Sequence, residues 1–306
     1  MALYYFGIIV AFTGVNNKFP TPERNRMKKF MLVKGFVVAA LDSAAGLSPP
    51  VAQAGPISAL YLTSGNENEV EVIQGNAVVN RFSIQGDGQQ YPVAVSGGTV
   101  RMLNDYTNVG AQYTTAGVAT GATDTSTLAS GGYYDGAGNG TSNFTVNYST
   151  GNVYQTALNW STPVLLFNTG RLDGSEVGIT YDPVNNSLWI ADWNGTRIAD
   201  YSLTGVLLSS FHAPVQYIAG LSFDIVDQSL WFGTQGDEGS TLRTFYQYST
   251  AGLQLSTASI AGLTGDNFLG GEMAETGSAR VPEPGSIALL GAGLVGLALL
   301  GRRRSV

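Results

Sequence analysis

The 306-residue chain contains no cysteine and a single histidine. Without thiols it forms neither a disulfide framework nor a thiolate metal site. With one histidine, a Ser-His-Asp triad or a multi-histidine metal centre would have to pass through His212. Ser209, Ser210 and Phe211 beside it form no nucleophile elbow, and no G-x-S-x-G occurs. His212 therefore reads as a loop or strand-end residue. Lysine is missing from residues 55–280, which carry 19 Asp and Glu against six Arg, a formal charge of −13 where the whole chain has −7. A body of that sign repels nucleic acid and anionic lipid, so neither is expected as a partner. No stretch of it longer than about ten residues carries a 3.6-residue apolar period, which argues against long helices.

What is present is clearest at the C-terminus. Pro282-Glu283-Pro284 is a stiff, helix-breaking entry, Ile287 to Leu300 is uncharged and apolar, and Arg302, Arg303 and Arg304 close the chain. A helix over the 17 residues from Gly285 to Gly301 would span roughly 25 Å, near the lower limit for crossing a bilayer core. Three arginines behind it resist translocation and act as a membrane stop, leaving the bulk of the chain on the far side. The order of motif, apolar helix and basic terminus resembles the PEP-CTERM sorting signal of Gram-negative bacteria. That resemblance covers residues 281–306. It implies recognition by exosortase, a membrane protease or transpeptidase that removes the tail near Pro-Glu-Pro. It also implies transient anchoring in the inner membrane, delivery to the periplasm, cell surface or exterior, and an association with exopolysaccharide and biofilm. It carries no activity over to the body.

At the other end, Met27-Lys28-Lys29 opens a secretory signal with Lys34 in its positive region and an apolar run from Gly35 to Leu41. Ala52-Gln53-Ala54 matches the small-x-small pattern for signal peptidase, with Gly55 as the first mature residue. Translation is expected to start at Met27; an N-terminal anchor using Leu3 to Phe12 is the alternative. The expected organisation is a signal region (1–54), an exported domain (55–280) and a sorting signal (281–306).

The body is rich in Gly, Ser, Thr, Asn and Tyr, which suits short strands and tight turns. It also repeats. The 13 residues Gly178 to Ile190 align without gaps to Gly220 to Phe232, with six identities at an offset of 42. Strand-like runs begin at Leu60, Val100, Phe144, Leu188 and Leu230, spaced 40, 44, 44 and 42 residues apart. An aromatic, then Ser or Thr, then Gly recurs at Phe82/Gly86, Tyr113/Gly117, Tyr201/Gly205 and Tyr248/Gly252 and reads as a strand entering a hairpin. A period near 40–45 residues with several strands per unit predicts an all-β fold, a β-propeller of five to six blades. Trp189 and Trp231 are then expected at equivalent positions between blades. A β-sandwich is the alternative. The last two units, about residues 175–255, resemble the repeats of NHL-like and lactonase-like propellers.

No residue set spells out a reaction, and the chain is not expected to be an enzyme. Asp182 and Asp224 recur at one place in two repeats and read as turn acceptors. Asp135, Asn139 and Asp192 stand beside glycines in two oxygen-rich loops of the kind that suits calcium as a cofactor. Gln235-Gly-Asp237-Glu238 and Gly265-Asp266-Asn267 carry the same signal more faintly. Glu67, Glu69 and Glu71 alternate along a strand and would share one face, which implies solvent or a cation; solvent is the expectation. Tyr133, Tyr134, Tyr148, Tyr154, Trp160 and Trp193 are candidates for stacking on sugar rings, most of them for packing between blades. The expected role is binding or structural, toward polysaccharide or another extracellular component. The rival is a propeller hydrolase, lactonase or lyase with a carboxylate–metal site at the channel mouth.

Overall fold

The computed structural model describes residues 55–274, except 65–67, 87–88, 171–174, 235–243 and 265–267. The expected start at Met27, the cleavage residues Ala52 and Ala54, Glu67, the stretches around Asp237 and Asp266, the Pro282-Glu283-Pro284 motif and Arg302 to Arg304 lie outside the described residues.

Every regular element described is a strand. The chain opens with β1 (Leu60–Ser64), β2 (Glu69–Gln74) and β3 (Ala77–Ser83). A second sheet follows as β4 (Gln90–Ser96), β5 (Thr99–Asn104), β6 (Val109–Thr114) and β7 (Ala119–Thr125). The third is β8 (Tyr133–Gly138), β9 (Asn143–Asn147), β10 (Asn152–Thr156) and β11 (Val164–Asn168). The fourth is β12 (Glu176–Asp182), β13 (Ser187–Asp192), β14 (Arg197–Ser202) and β15 (Leu207–His212). The fifth is β16 (Ile218–Asp224), β17 (Ser229–Thr234), β18 (Thr244–Ser249) and β19 (Gln254–Ser259). Last, β20 (Phe268–Met273) returns to pair with β1 and completes the first sheet.

Each sheet is antiparallel with four strands, and the innermost strands β20, β4, β8, β12 and β16 touch in that order around a closed ring. This is a five-bladed propeller. The sandwich alternative and a sixth blade are both overturned, because β20 is the innermost strand of blade one rather than the start of another unit. The five strand-like runs of the sequence are β1, β5, β9, β13 and β17, the second strand of every blade, so the spacing of about 42 residues is the blade repeat itself.

The blades adhere through apolar faces. Trp189 fills the layer between blades four and five and Trp231 the layer between five and one, each 1% exposed. Burial of such a ring contributes about 2–3 kcal/mol. Asp182 and Asp224 close the turns after β12 and β16. Asp182 Oδ1 accepts the Val184 N–H at 2.8 Å, and Asp224 Oδ1 the Val226 N–H at 2.9 Å.

At the outer rim the turn glycines act as seats. Gly117, Gly205 and Gly252 have φ between 80° and 83°, and a methyl on each would fall 2.5–2.6 Å from Phe82, Phe167 and Phe211 of the preceding blade. Those rings also contact Tyr113, Tyr201 and Tyr248 at 4.9, 5.4 and 5.5 Å. The expected Phe82/Gly86 pair is therefore corrected. Phe82 lies on an outermost strand and serves the glycine of blade two, not its own hairpin.

Along the axis, Asp135 on β8 is fully buried. Its carboxylate accepts N–H groups from Gly136 (2.9 Å), Ile179 on β12 (3.0 Å) and Gly271 on β20 (2.8 Å). A methyl on Gly271 would come within 2.8 Å of the Gly220 Cα, and one on Gly270 within 1.8 Å of the Tyr91 carbonyl. The inner strands thus meet backbone to backbone. Both ends of the described chain lie on one face. Ser58 donates its N–H to Asp224 Oδ2 at the foot of β16, and Ala274 donates its N–H to the Ala59 carbonyl, where β20 ends and β1 begins.

Candidate functional site

The opposite face, where the innermost strands begin, holds the candidate site. The second residue of each of those strands is Tyr91, Tyr134, Val177, Ala219 or Leu269, and the five form one apolar cluster around the axis with Tyr148 and Trp193. Tyr148 stands in the turn after β9, and Trp193 in the turn after β13. A depression of about 300 Å³ opens over this cluster, with Gln89 and Tyr106 on its rim. Tyr134 sits at its centre, edge-to-face with Tyr91 (5.8 Å, 71°) and with Tyr148 (5.6 Å, 69°). Trp193 packs edge-on to Tyr217 at 5.4 Å, and its own N–H and carbonyl are tied to the Ser175 carbonyl and the Tyr217 N–H. These contacts hold the rings in place without covering them.

Burial pushes the Tyr134 phenol up to about 12, with the negative charge of Asp105 and the phenols of Tyr106, Tyr148 and Tyr91 adding to it. Tyr134 is therefore a neutral hydrogen-bond donor across the physiological range, not a base. Asp105 lies behind it, buried, accepting the Tyr133 N–H at 2.8 Å. Burial raises its pKa too, against the pull of the Tyr133 and Gly132 N–H groups.

Of the six aromatics singled out from the sequence, Tyr134, Tyr148 and Trp193 are brought together here. Tyr133 and Trp160 are not; both are buried in the apolar layer between blades two and three, and Tyr154 packs against them. Tyr91 and Tyr106 were missed. Tyr91 could have been found, since it precedes Tyr134 by 43 residues and holds the same place one blade earlier.

The oxygen-rich candidates are dispersed. Asp135 is the axial acceptor already described. Burial raises its pKa well above the usual carboxylate range, while backbone N–H groups of Gly271, Ile179, Gly136 and Leu221 pull it back. Asn139 belongs to the turn at the far end of β8, its Oδ1 accepting the N–H groups of Thr141 (3.0 Å) and Ser142 (2.8 Å). Asp192 ends β13 and accepts the Gly195 N–H at 3.2 Å. Asn139 and Asp192 thus stand at opposite faces of the propeller. Among the described residues no three His, Asp or Glu side chains converge as a metal site would require.

Two further expectations are resolved by position. His212 is exposed at the end of edge strand β15, with Nδ1 2.9 Å from the Thr196 hydroxyl. The solvent reading of the glutamates is corrected at Glu71. It is fully buried on β2, 2.7 Å from Arg81 Nε, and it accepts the Thr264 N–H at 3.0 Å.

Among solved structures the fold is similar to a chain of a nidogen/laminin complex, at 15% identity and a TM-score of 0.49 over 71% of this chain and 98% of that one. It is also similar to streptogramin B lyase (17%, TM-score 0.43, 70% and 71%) and to glutaminyl cyclase of Myxococcus xanthus (15%, TM-score 0.42, 74% and 78%). No curated protein matches the sequence. Residues 280–304 match the PEP-CTERM protein-sorting motif, so the chain carries an exosortase sorting signal, which implies export.

Proposed function

We propose that the exported body is a glycan-binding protein, working at the cell surface or in the extracellular matrix after exosortase has processed its tail. The observation that carries this reading is the aromatic depression. Tyr134, Tyr148 and Trp193, each half-buried, line one hollow together with the buried Tyr91 and Leu269. Sugar rings present axial C–H groups that stack on aromatic faces, and a tyrosine held neutral adds a hydroxyl donor. The lining described contains no carboxylate and no histidine, whereas a carboxylate–metal hydrolase or lyase would need several. The exit of the described chain at Ala274, on the face opposite the depression, supports the same role.

The test uses the mature secreted protein. Trp160, Trp189 and Trp231 are at most 1% exposed, so Trp193 is the tryptophan a ligand can reach. Polysaccharides from the producing cells should shift its fluorescence, and Tyr134→Ala should abolish both shift and retention on insoluble polysaccharide. Unchanged retention by Tyr134→Ala and Trp193→Ala variants would sink the assignment. The delivery arm is tested separately. Replacing Arg302, Arg303 and Arg304 by Ser should cause premature release, and unchanged processing would overturn the anchor's polarity.

A further inference from the structure

We infer that the ligand is an uncharged, hydroxyl-rich sugar chain long enough to leave the aromatic depression, cross blade two and enter a second, amide-lined cleft. This rests on the glycan-binding reading and adds the class and length of the ligand. The cleft has a volume of about 370 Å³ and lies beside the depression, lined by Gln85, Gln90, Thr107, Gln112 and Thr123. The two hollows share a ridge made of adjacent residues. Gln89 and Tyr106 face the depression, and their chain neighbours Gln90 and Thr107 face the cleft. Consecutive Cα atoms are about 3.8 Å apart, so a sugar chain leaving one hollow over Tyr106 is already at the mouth of the other. Tyr106 is 59% exposed and stands on that ridge as a further stacking surface.

The lining chemistry selects the class. Neither hollow is lined by a charged side chain among the described residues. Two of the three cleft amides are fixed in advance. Gln90 donates through Nε2 to the Gln85 carbonyl (2.9 Å) and accepts the Ala111 N–H through Oε1 (3.2 Å). Gln112 donates to Asp124 Oδ1 at 2.6 Å. Fixed amides and threonine hydroxyls bind sugar hydroxyls with little ordering cost. A uronate or sulfated chain would bring charge into hollows that offer no cation, on a body of charge −13. A neutral chain meets no such cost.

The experiment titrates the mature protein with cello- and laminari-oligosaccharides, from disaccharide to hexasaccharide, and with oligogalacturonates, followed by calorimetry and Trp193 fluorescence. The expected result is that a neutral hexasaccharide binds about tenfold or more tightly than the disaccharide. Ala122→Trp, which fills the exposed side of the cleft, should erase that advantage and leave disaccharide affinity unchanged. Thr123→Val should reduce it, as a second variant that exchanges only the hydroxyl for a methyl; melting curves confirm that both fold. Equal affinity for short and long chains, or no effect of either variant, overturns the cleft while the aromatic site stands. Tighter binding of oligogalacturonates overturns the neutral class. No binding of any sugar removes the glycan reading as well.

Discussion

Phe211, on the outermost strand of blade four, stacks on Tyr248, on the third strand of blade five, with ring centroids 5.5 Å apart and planes within 11°. The stack closes over Gly252, whose φ of 80° turns the hairpin between β18 and β19. A Gly252→Ala variant must accept a left-handed backbone and place its methyl 2.5 Å from the Phe211 Cβ. Gly75, at φ 63° in the turn between β2 and β3, has nothing within 4 Å of the same position and serves as the control. Gly75→Ala should cost about 1–2 kcal/mol for conformation alone. Gly252→Ala should cost a further 1–3 kcal/mol for the overpacked ring. Equal losses in urea denaturation would show that the phenylalanine does not bear on the turn.

Such rim contacts explain what the sequence revealed and what it hid. The 42-residue match between the Trp189 and Trp231 units was legible because both tryptophans do the same task, filling a layer between blades. The glycine marker was legible at Tyr113, Tyr201 and Tyr248 for the same reason. It misled at Phe82, because an aromatic followed by glycine at the right distance also occurs where an outermost strand leaves its blade. The closing role of β20 left no trace in the period, since Phe268–Met273 lacks the strand–turn–strand pattern that follows β12 and β16. The site was half legible. Trp193 follows a repeat unit directly, but Tyr134 was indistinguishable from Tyr133 until strand register sent one to the axis and the other into the core. The burial of Glu71 was invisible, because alternation along β2 cannot show that Arg81 and Thr264 arrive from elsewhere.

Asp135 makes a sharper prediction about the axis. Its two oxygens serve N–H groups on β8, β12 and β20. Asp135→Asn keeps one acceptor oxygen and sets an NH₂ against a backbone N–H, for an expected loss of about 1–3 kcal/mol. Asp135→Ala orphans all of these donors in a site with no exposure and should cost more, on the order of 3–5 kcal/mol. Chemical denaturation of the two variants ranks them. An alanine variant as stable as the asparagine one would remove the carboxylate from its role as a strut.

Stability should also fall as pH rises from acid to neutral. Burial pushes the Asp124 carboxyl from 3.8 up to about 7, despite the Gln112 amide and the Arg101 charge, and pushes Asp200 up to about 6. The folded chain therefore holds protons that the unfolded chain releases. Their stabilising effect is complete below about pH 4 and is lost as pH climbs through 6 and 7. Asp124→Asn still accepts the Gln112 N–H and carries no charge. Relative to the unmodified chain it should raise the melting temperature by several degrees at pH 8 and change it little at pH 4. A difference independent of pH would mean that Asp124 does not titrate in this window.

The closure of the ring depends on a clasp between the two ends of the body. The chain leading from β19 into β20 is laced to blade one. Ala261 pairs with the edge of β3 through the Val78 N–H (3.0 Å), and donates its own N–H to the Asn76 carbonyl (2.8 Å). Arg81 reaches the Gly262 carbonyl while its Nε lies 2.7 Å from Glu71, which also accepts the Thr264 hydroxyl at 2.8 Å. Arg81 is about one-third exposed and Glu71 is not exposed at all. Removing the guanidinium therefore strands a buried charge, and Arg81→Ala should cost about 3 kcal/mol. Arg81→Lys should recover little, because one ammonium lacks the fork that spans Glu71 and the Gly262 carbonyl. Adding Glu71→Gln to Arg81→Ala should restore part of the loss, since the amide oxygen still accepts from Thr264 without a charge to strand. The damage should appear first at the seam, as faster hydrogen exchange in β20 and β1 than in β12 or β13. Uniform acceleration across all five blades would show that the clasp is not where the ring opens.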